Sequence, residues 1–389
     1  MRKFLLSLAA GVLAAALALG GVRLVVEPKE YPLALGNVNY TEKITGKWLV
    51  EKAAEDPRTV TIFGSSELRT YDILTHPANF FAGQRAGFQV NLVGRGSCQS
   101  IIHALAIAAS GDELAGTKVV LITSPQAYVE GGIAPDLFMA NFSEQQYLEL
   151  MSDPSIPDEM KLRFSERINE LLNEYGADDT TASALLAKSV VEDDTLLKLA
   201  ITPYTAASRW LLNTKDMAAA KSLIESEEVD ASISAEPIDW DEVLAAAVAE
   251  AEAATDNNDY GMLNDYYTTY VGRKLEQQRD KDADLSYSVS KEYDDLRLLL
   301  DICKLKGIEP MFVHIPVHGD WSDYTGFKKE LREEYYEKVR QIVGEYENVT
   351  LLDLTGYEYE EYFLCDVMHL GWKGWLEIDK ALVQFYNQD

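Results

Sequence analysis

Positive charge, sulfur and imidazole are all scarce in this sequence. Its 389 residues carry 35 Lys and Arg against 64 Asp and Glu, a formal net charge of −29. Nucleic-acid binding needs a basic surface that displaces counterions from phosphates, so the composition argues against that class. The three cysteines, Cys98, Cys303 and Cys365, cannot all pair within one chain, and they read as buried small apolar residues. Only five histidines occur, and none forms a cluster of metal-ligand spacing. Neither a metal nor another cofactor is expected. What remains, 47% hydrophobic and 25% charged residues, is the composition of a folded protein. Length alone suggests two domains, or one with a sizeable insertion.

Long apolar runs are absent with one exception. After Arg2 and Lys3 the 19 residues Phe4 to Val22 carry no charge, and Leu24, Val25 and Val26 extend the apolar character past Arg23. At about 1.5 Å per residue such a run matches the roughly 30 Å of a bilayer core. The leading positive charges favour a cytoplasmic N-terminus with the rest of the chain outside. A cleaved signal peptide is the rival, since Ala16-Leu17-Ala18 is a passable cleavage pattern. The expected organisation is an uncleaved anchor over 1–26, a linker over 27–57 and an extracellular domain over 58–389. This makes the chain a single-pass protein of the cell membrane.

Within that domain, short β-rich stretches alternate with helical patterns. "TVTIFG" (59–64), "FQVNLVG" (88–94), "KVVLIT" (118–123), "EPMFVHIPV" (309–317) and "VTLLDL" (349–354) read as strands. Helical patterns cover 99–110, 288–306, 327–345 and "WLEIDKALVQFY" at the end. Such alternation gives an α/β fold, a parallel sheet with helices on both faces. A long interruption at 140–285 separates the third strand from the fourth and reads as an acidic helical insertion. Residues 141–290 hold 31 acidic against 12 basic residues.

In a parallel sheet, functional groups gather beyond the carboxyl ends of the strands. There stand "FGSSEL", "NLVGRGSCQS" and "ITSPQAY", and past the last strand "DVMHLGWKGW". A serine becomes a nucleophile when a histidine takes its proton and an acid fixes the histidine tautomer. Ser66, His369 and Asp366 are the residues for those roles, and two residues between Asp366 and His369 suit a short turn. The oxyanion needs preorganised donors, for which the Gly96 N–H, the Ser66 N–H and the Gln126 amide are the candidates. Taken singly, each has a plainer reading: Ser66 as a helix cap, Gly94 and Gly96 as turn formers, Gln126 as a loop residue. Trp372 and Trp375 read first as packing the last helix onto the sheet, with substrate stacking at Trp372 as the alternative. His103 and His314 read as buried, hydrogen-bonded histidines.

Read in order, these blocks resemble the SGNH (GDSL-like) hydrolase superfamily. Gly64-Ser65-Ser66 stands for its first block, Gly96 for the glycine of its second, and Asp366-Val367-Met368-His369 for its last. The third block departs: the usual Gly-x-Asn is replaced by "SPQ", with Gln126 in the donor's place. Together with "HPANFF" (76–81) and "PVHGDWSDYTG" (316–326), the set resembles the DltD family, from the N-terminal run to the final helix. Where His318 stands, that family more often carries asparagine, so His318 is given no role.

The resemblance implies an SGNH-like (flavodoxin-like) three-layer sheet behind a transmembrane helix. It also implies an extracytoplasmic acyltransferase or thioesterase that passes D-alanine to lipoteichoic acid in Gram-positive bacteria. Its implied partners are the teichoic-acid polymer, a D-alanyl donor, the membrane O-acyltransferase DltB and the carrier protein DltC. Arg69 and Arg95 are candidates for the polyanionic acceptor, with ordinary surface salt bridging as their plainer reading. Glu67 is a candidate for the ammonium of a D-alanyl donor, or else a first-turn glutamate that stabilises a helix N-terminus. Two alternatives stay open: a tethered, non-catalytic presenting protein of the same pathway, and an O-acetyl esterase or transferase of cell-wall sugars. A buried acid beside Ser66 favours D-alanyl over acetyl.

Overall fold

The computed structural model describes residues 31–69, 73–83, 86–227 and 233–388, together with Gly11. The expected anchor over 1–26 otherwise lies outside these residues. Among the described residues no helix is long and apolar enough to cross a membrane.

Five strands among the described residues form one parallel sheet: β1 (Thr59–Phe63), β2 (Gln89–Val93), β3 (Lys118–Thr123), β4 (Met311–His314) and β5 (Thr350–Asp353). Their order is β2-β1-β3-β4-β5, that of a flavodoxin-like doubly wound sheet. Phe63 stands opposite both Val93 and Leu121, and His314 opposite both Thr123 and Asp353. The carboxyl ends of all five therefore share one edge. The central strands β3 and β4, buried on both faces, carry apolar residues at successive positions, whereas β1 and β2 interleave Thr, Gln and Asn and the edge strand β5 is largely exposed. In β3, Val119 and Leu121 enter one core, Val120 and Ile122 the other.

Short helices α1 (Thr41–Thr45) and α2 (Trp48–Ala54) precede β1, and α3 (Ser100–Leu114) joins β2 to β3. The crossover from β3 to β4 carries α4 (Pro135–Asn141), α5 (Glu144–Ser152), α6 (Asp158–Tyr175), α7 (Ala182–Val191), α8 (Thr195–Ser226) and α9 (Trp240–Ala254), then α10 (Glu292–Leu305). After β4 come α11 (Gly319–Thr325) and α12 (Lys329–Gly344), and α13 (Trp372–Tyr386) closes the fold. Local chemistry sets the ends of these helices. The Asp239 carboxylate accepts from the Asp241 and Glu242 N–H groups to start α9, and Gly176, with φ 75°, stops α6.

The stretch expected as a linker is ordered from Tyr31 on. Buried Lys43 donates from Nζ to the carbonyls of Leu35 (2.6 Å), Gly36 (3.1 Å) and Leu92 (3.3 Å), pinning the turn Leu33–Asn37 along β2. A Cβ on Gly36 would stand 2.1 Å from the Val90 carbonyl oxygen, so only glycine permits this approach. Composition shows none of this, because a lysine is ordinarily a surface residue.

The two tryptophans part company. Trp375 packs α13 onto the sheet with Ile378, Leu382 and Phe385. Trp372 instead joins Ala247 and Ala251 of α9, Ile73 and Cys365, so it ties α13 to the insertion. All three cysteines are buried and free.

Candidate active site

Two glycines bring the first loops together. Gly64 follows β1 and donates its N–H to the Val93 carbonyl at 3.1 Å. Gly94 follows β2 at φ 154°, where a Cβ would lie 1.8 Å from the Gly64 carbonyl oxygen. The loops touch backbone to backbone, which any side chain would prevent. Beyond Gly64 the chain turns through a 3-10 turn, Ser66–Leu68, that holds the Ser66 hydroxyl at the sheet edge.

The opposite wall is "DVMH". Asp366 is buried, and its Oδ1 accepts from the backbone N–H groups of Met368 (2.9 Å) and His369 (2.8 Å), so the acid builds the turn that carries the histidine. The His369 carbonyl accepts from Cys365 N–H at 2.9 Å, and the bridge between Leu364 and Leu370 closes the loop. His369 Nδ1 lies 2.7 Å from Asp366 Oδ2 and Nε2 lies 2.9 Å from Ser66 Oγ. With Nδ1–H donated to the carboxylate, Nε2 accepts the serine hydroxyl, the arrangement of a general base. Burial alone would lower the imidazole pKa; the hydrogen bond and charge of Asp366, with the charge of Glu67, outweigh it and raise it, while Arg69 pulls the other way.

Glu67 is buried beneath Ser66 and accepts the Ser65 N–H. Burial pushes its pKa up, against the Ser65 and Glu67 N–H groups and the charge of His369. Arg69, exposed at the end of the same turn, is close enough for its charge to bear on His369. Gly96 sits exposed in the loop after β2, and half-buried Gln126 in the turn Pro125–Tyr128 after β3. These loops leave the three adjacent strands β2, β1 and β3.

Arg95 is not spread over the surface. Its Nε donates to Asn141 Oδ1 at 2.7 Å, and NH2 donates to the Ala140 carbonyl. Such a guanidinium braces α4 against the Gly96 loop. Trp372, the candidate for stacking, is buried beside α9 and offers no ring face to a ligand.

Sequence reasoning passed over Asn141. From the end of α4 its buried amide accepts from Arg95 and donates to the Gly96 carbonyl at 3.1 Å and the Leu137 carbonyl at 3.2 Å. Nothing in "MANFSE" distinguishes it. The aromatic segment 260–271 was visible as composition only. Leu263 N–H donates to the Cys365 carbonyl at 2.8 Å, and Val367 packs with Met262, Val271 and Trp321. The insertion thus seats the acid–base loop.

His103 and His314 make no contact with this chemistry, while His318 lies near enough for the charge of Asp366 to bear on it. His103 meets Phe63 edge-on at 5.8 Å, and burial pushes its pKa down to about 3. His314 lies between Tyr335 and Tyr336, each at 5.5 Å. Contrary to expectation, neither ring nitrogen of His314 has a hydrogen-bond partner among the described residues. His318 caps α11 and contacts the Tyr260 carbonyl at 2.9 Å.

Comparison with known proteins bears on the same span. The family described as DltD protein matches residues 37–387. Protein DltD of Bacillus subtilis (strain 168) is 35% identical over 342 residues, covering 88% of this chain and 86% of the relative. Protein DltD of Staphylococcus aureus (strain NCTC 8325 / PS 47) is 27% identical over 349 residues, 88% of this chain and 84% of the relative. Protein DltD of Lacticaseibacillus rhamnosus is 29% identical over 341 residues, 84% of this chain and 77% of the relative. The match over nearly the whole described domain, with a relative at 35% identity, shows that the chain belongs to the DltD family.

Proposed function

We propose that this chain is an SGNH-like serine acyltransferase that carries D-alanyl groups to teichoic acid at the outer face of the membrane. In this reading residues 1–26 anchor it as a single-pass protein and 58–389 form the extracellular catalytic domain, with 140–285 as its insertion. The observation that carries the reading is the continuous contact from Ser66 Oγ through the His369 ring to Asp366, at 2.9 and 2.7 Å.

Ser66 Oγ attacks the carbonyl of a D-alanyl ester or thioester as its proton passes to His369 Nε2. Asp366 holds Nδ1–H and stabilises the imidazolium. The N–H groups of Gly96 and Ser66 and the Gln126 amide take the oxyanion. As the tetrahedral species collapses, His369 returns the proton to the departing thiol or alcohol and the acyl group stays on Ser66. A glycerol hydroxyl of the polymer then loses its proton to His369, attacks the acyl ester, and Ser66 Oγ regains the proton. Buried Glu67 beside the nucleophile supports a donor that bears an ammonium over an acetyl donor. The partners of this step in our reading are the membrane O-acyltransferase DltB and the carrier DltC.

Intact-protein mass spectrometry of the full chain after exposure to a D-alanyl thioester tests the reading, with Ser66→Ala and His369→Ala alongside. A D-alanyl adduct absent from Ser66→Ala is expected. An adduct that survives in Ser66→Ala, or none in the native chain with its membrane partners present, would overturn it.

A further inference from the structure

The first half of α8 turns apolar side chains outward. Leu196 is 80% exposed, Leu199 66%, Leu211 59% and Trp210 42%. At about 100° per residue, Leu196, Leu199, Pro203, Ala207, Trp210 and Leu211 fall on one arc of about 120°, while Lys198 and Arg209 project opposite. Ile201, off the stripe, is the side chain buried against the protein. Soluble monomers rarely leave so continuous an apolar face bare.

The other end of this helix shows what lies nearby. Ala220 and Ile224 of α8 are buried with Leu35 and Leu49, and Tyr31 packs against the same cluster. Tyr31 opens the described domain, and only Glu27–Glu30 separate it from the end of the apolar run at Val26. The five residue steps from Val26 to Tyr31 span at most about 18 Å when extended. A bilayer that takes up the N-terminal run therefore lies within that reach of Tyr31 and so of the end of α8 that holds Ala220 and Ile224, from which the helix runs back to the 196–211 face. Within its own length α8 carries Lys198, Arg209, Lys215 and Lys221 against Asp216 and Glu225, but Arg209 pairs with Glu149, Lys221 pairs with Glu225, and Glu192, Asp193 and Asp194 stand just before its first turn. It is the apolar face, not net charge, that suits a lipid surface.

We propose that the 196–211 face of α8 lies on the bilayer that holds the N-terminal run, with its leucines and Trp210 at the boundary between headgroups and acyl chains. The domain is then attached at two places, which fixes its orientation over the membrane. This goes beyond acyl transfer and rests only on the anchor assigned above.

The test uses the full chain in vesicles of equimolar phosphatidylglycerol and phosphatidylcholine. Single cysteines, Leu199→Cys, Leu211→Cys and Lys198→Cys, carry an environment-sensitive fluorophore; the native cysteines are buried and escape labelling. Lipids with a nitroxide on the acyl chain should quench the label at 199 and 211 at least about twofold more than at 198, one residue away on the opposite face. Flotation with equal, weak quenching at all three positions would overturn the proposal and leave the anchor standing. Weak quenching joined to concentration-dependent self-quenching would overturn it in favour of a second copy on the stripe. A chain that does not float would remove the anchor and the proposal together.

Discussion

Asn141 is the residue through which the structure makes its sharpest quantitative demand. Replacing it with alanine removes a charge-assisted contact from Arg95 at 2.7 Å and two neutral donations, to Gly96 and Leu137, at 3.1 and 3.2 Å. Taken at full value these sum to about 3–5 kcal/mol. Gly96 is exposed and Arg95 half-buried, so water replaces part of the loss; we expect about 2 kcal/mol and a fall in Tm of several degrees. The rate should suffer more than the fold. Deleting one oxyanion donor outright costs about a hundredfold to a thousandfold. Here the donor remains and only its support goes, because Arg95 and Cys98 still bond each other across the loop at 2.9 Å; about tenfold to a hundredfold loss of Ser66 acylation is expected. Asn141→Asp separates the two effects. It keeps an acceptor for Arg95 and so recovers stability, but it sets an anion against the Gly96 carbonyl and leaves acylation slow. Thermal unfolding and the burst of product from an activated ester read the two quantities. Native acylation in Asn141→Asp would refute the idea that this amide positions the Gly96 loop.

Asp366→Asn keeps an acceptor for the turn but loses control of the ring tautomer, and acylation should fall by about three to four orders of magnitude in a stopped-flow assay. Because the His369 pKa is raised above 6.5, the native rate should climb with pH through a midpoint above that value, and the midpoint should move down in Asp366→Asn. The same shift has a sign for stability: the stabilisation from protonated His369 is fully present below the unfolded pKa and is lost as pH rises through the raised folded value. Urea unfolding at several pH values, with and without Asp366→Asn, checks it. Gly94→Ala, at φ 154° and facing the Gly64 carbonyl at 1.8 Å, should cost more than about 4 kcal/mol or block folding, whereas Gly96→Ala, with open space around it, should unfold within about 1 kcal/mol of the native chain. Added salt should speed transfer to an anionic glycerol-phosphate polymer and leave transfer to free glycerol unchanged, because a chain of −29 repels the former.

The parts of the site that rest on strand ends were legible, because short β-branched and apolar stretches that stop at a glycine mark where strands end. "TVTIFG" locates Gly64 and the Ser66 turn to within a residue, and "DVMH" announces a turn by its own spacing. What contacts the "GRG" loop was not legible. Asn141 and Arg95 lie 46 positions apart, and an asparagine at a helix end has many ordinary uses. Lys43 is obscure for the same reason: its three carbonyl partners come from two separate segments, and lysine carries no signal of burial. Trp372 was misplaced because helical spacing gives the face of α13 but cannot say whether sheet or insertion covers it.

That last ambiguity has a consequence for how the site works. The sheet carries the proposed nucleophile Ser66 and the Gly96 loop at its strand ends, but it does not by itself place His369, the proposed base. Cys365 and Val367, on either side of Asp366, are held by Leu263 and by the aromatic cluster of Met262, Val271 and Trp321. Trp372, three residues after His369, is covered by α9. The histidine is thus flanked on both sides, by the crossover between β3 and β4 and by Trp321 of α11. A shift of about 1 Å in such a base is enough to cost about a hundredfold in rate. Movement in the acidic insertion would therefore change the contact between His369 and Ser66 without touching either residue. The crossover thus packs against both flanks of the loop that carries the proposed acid and base.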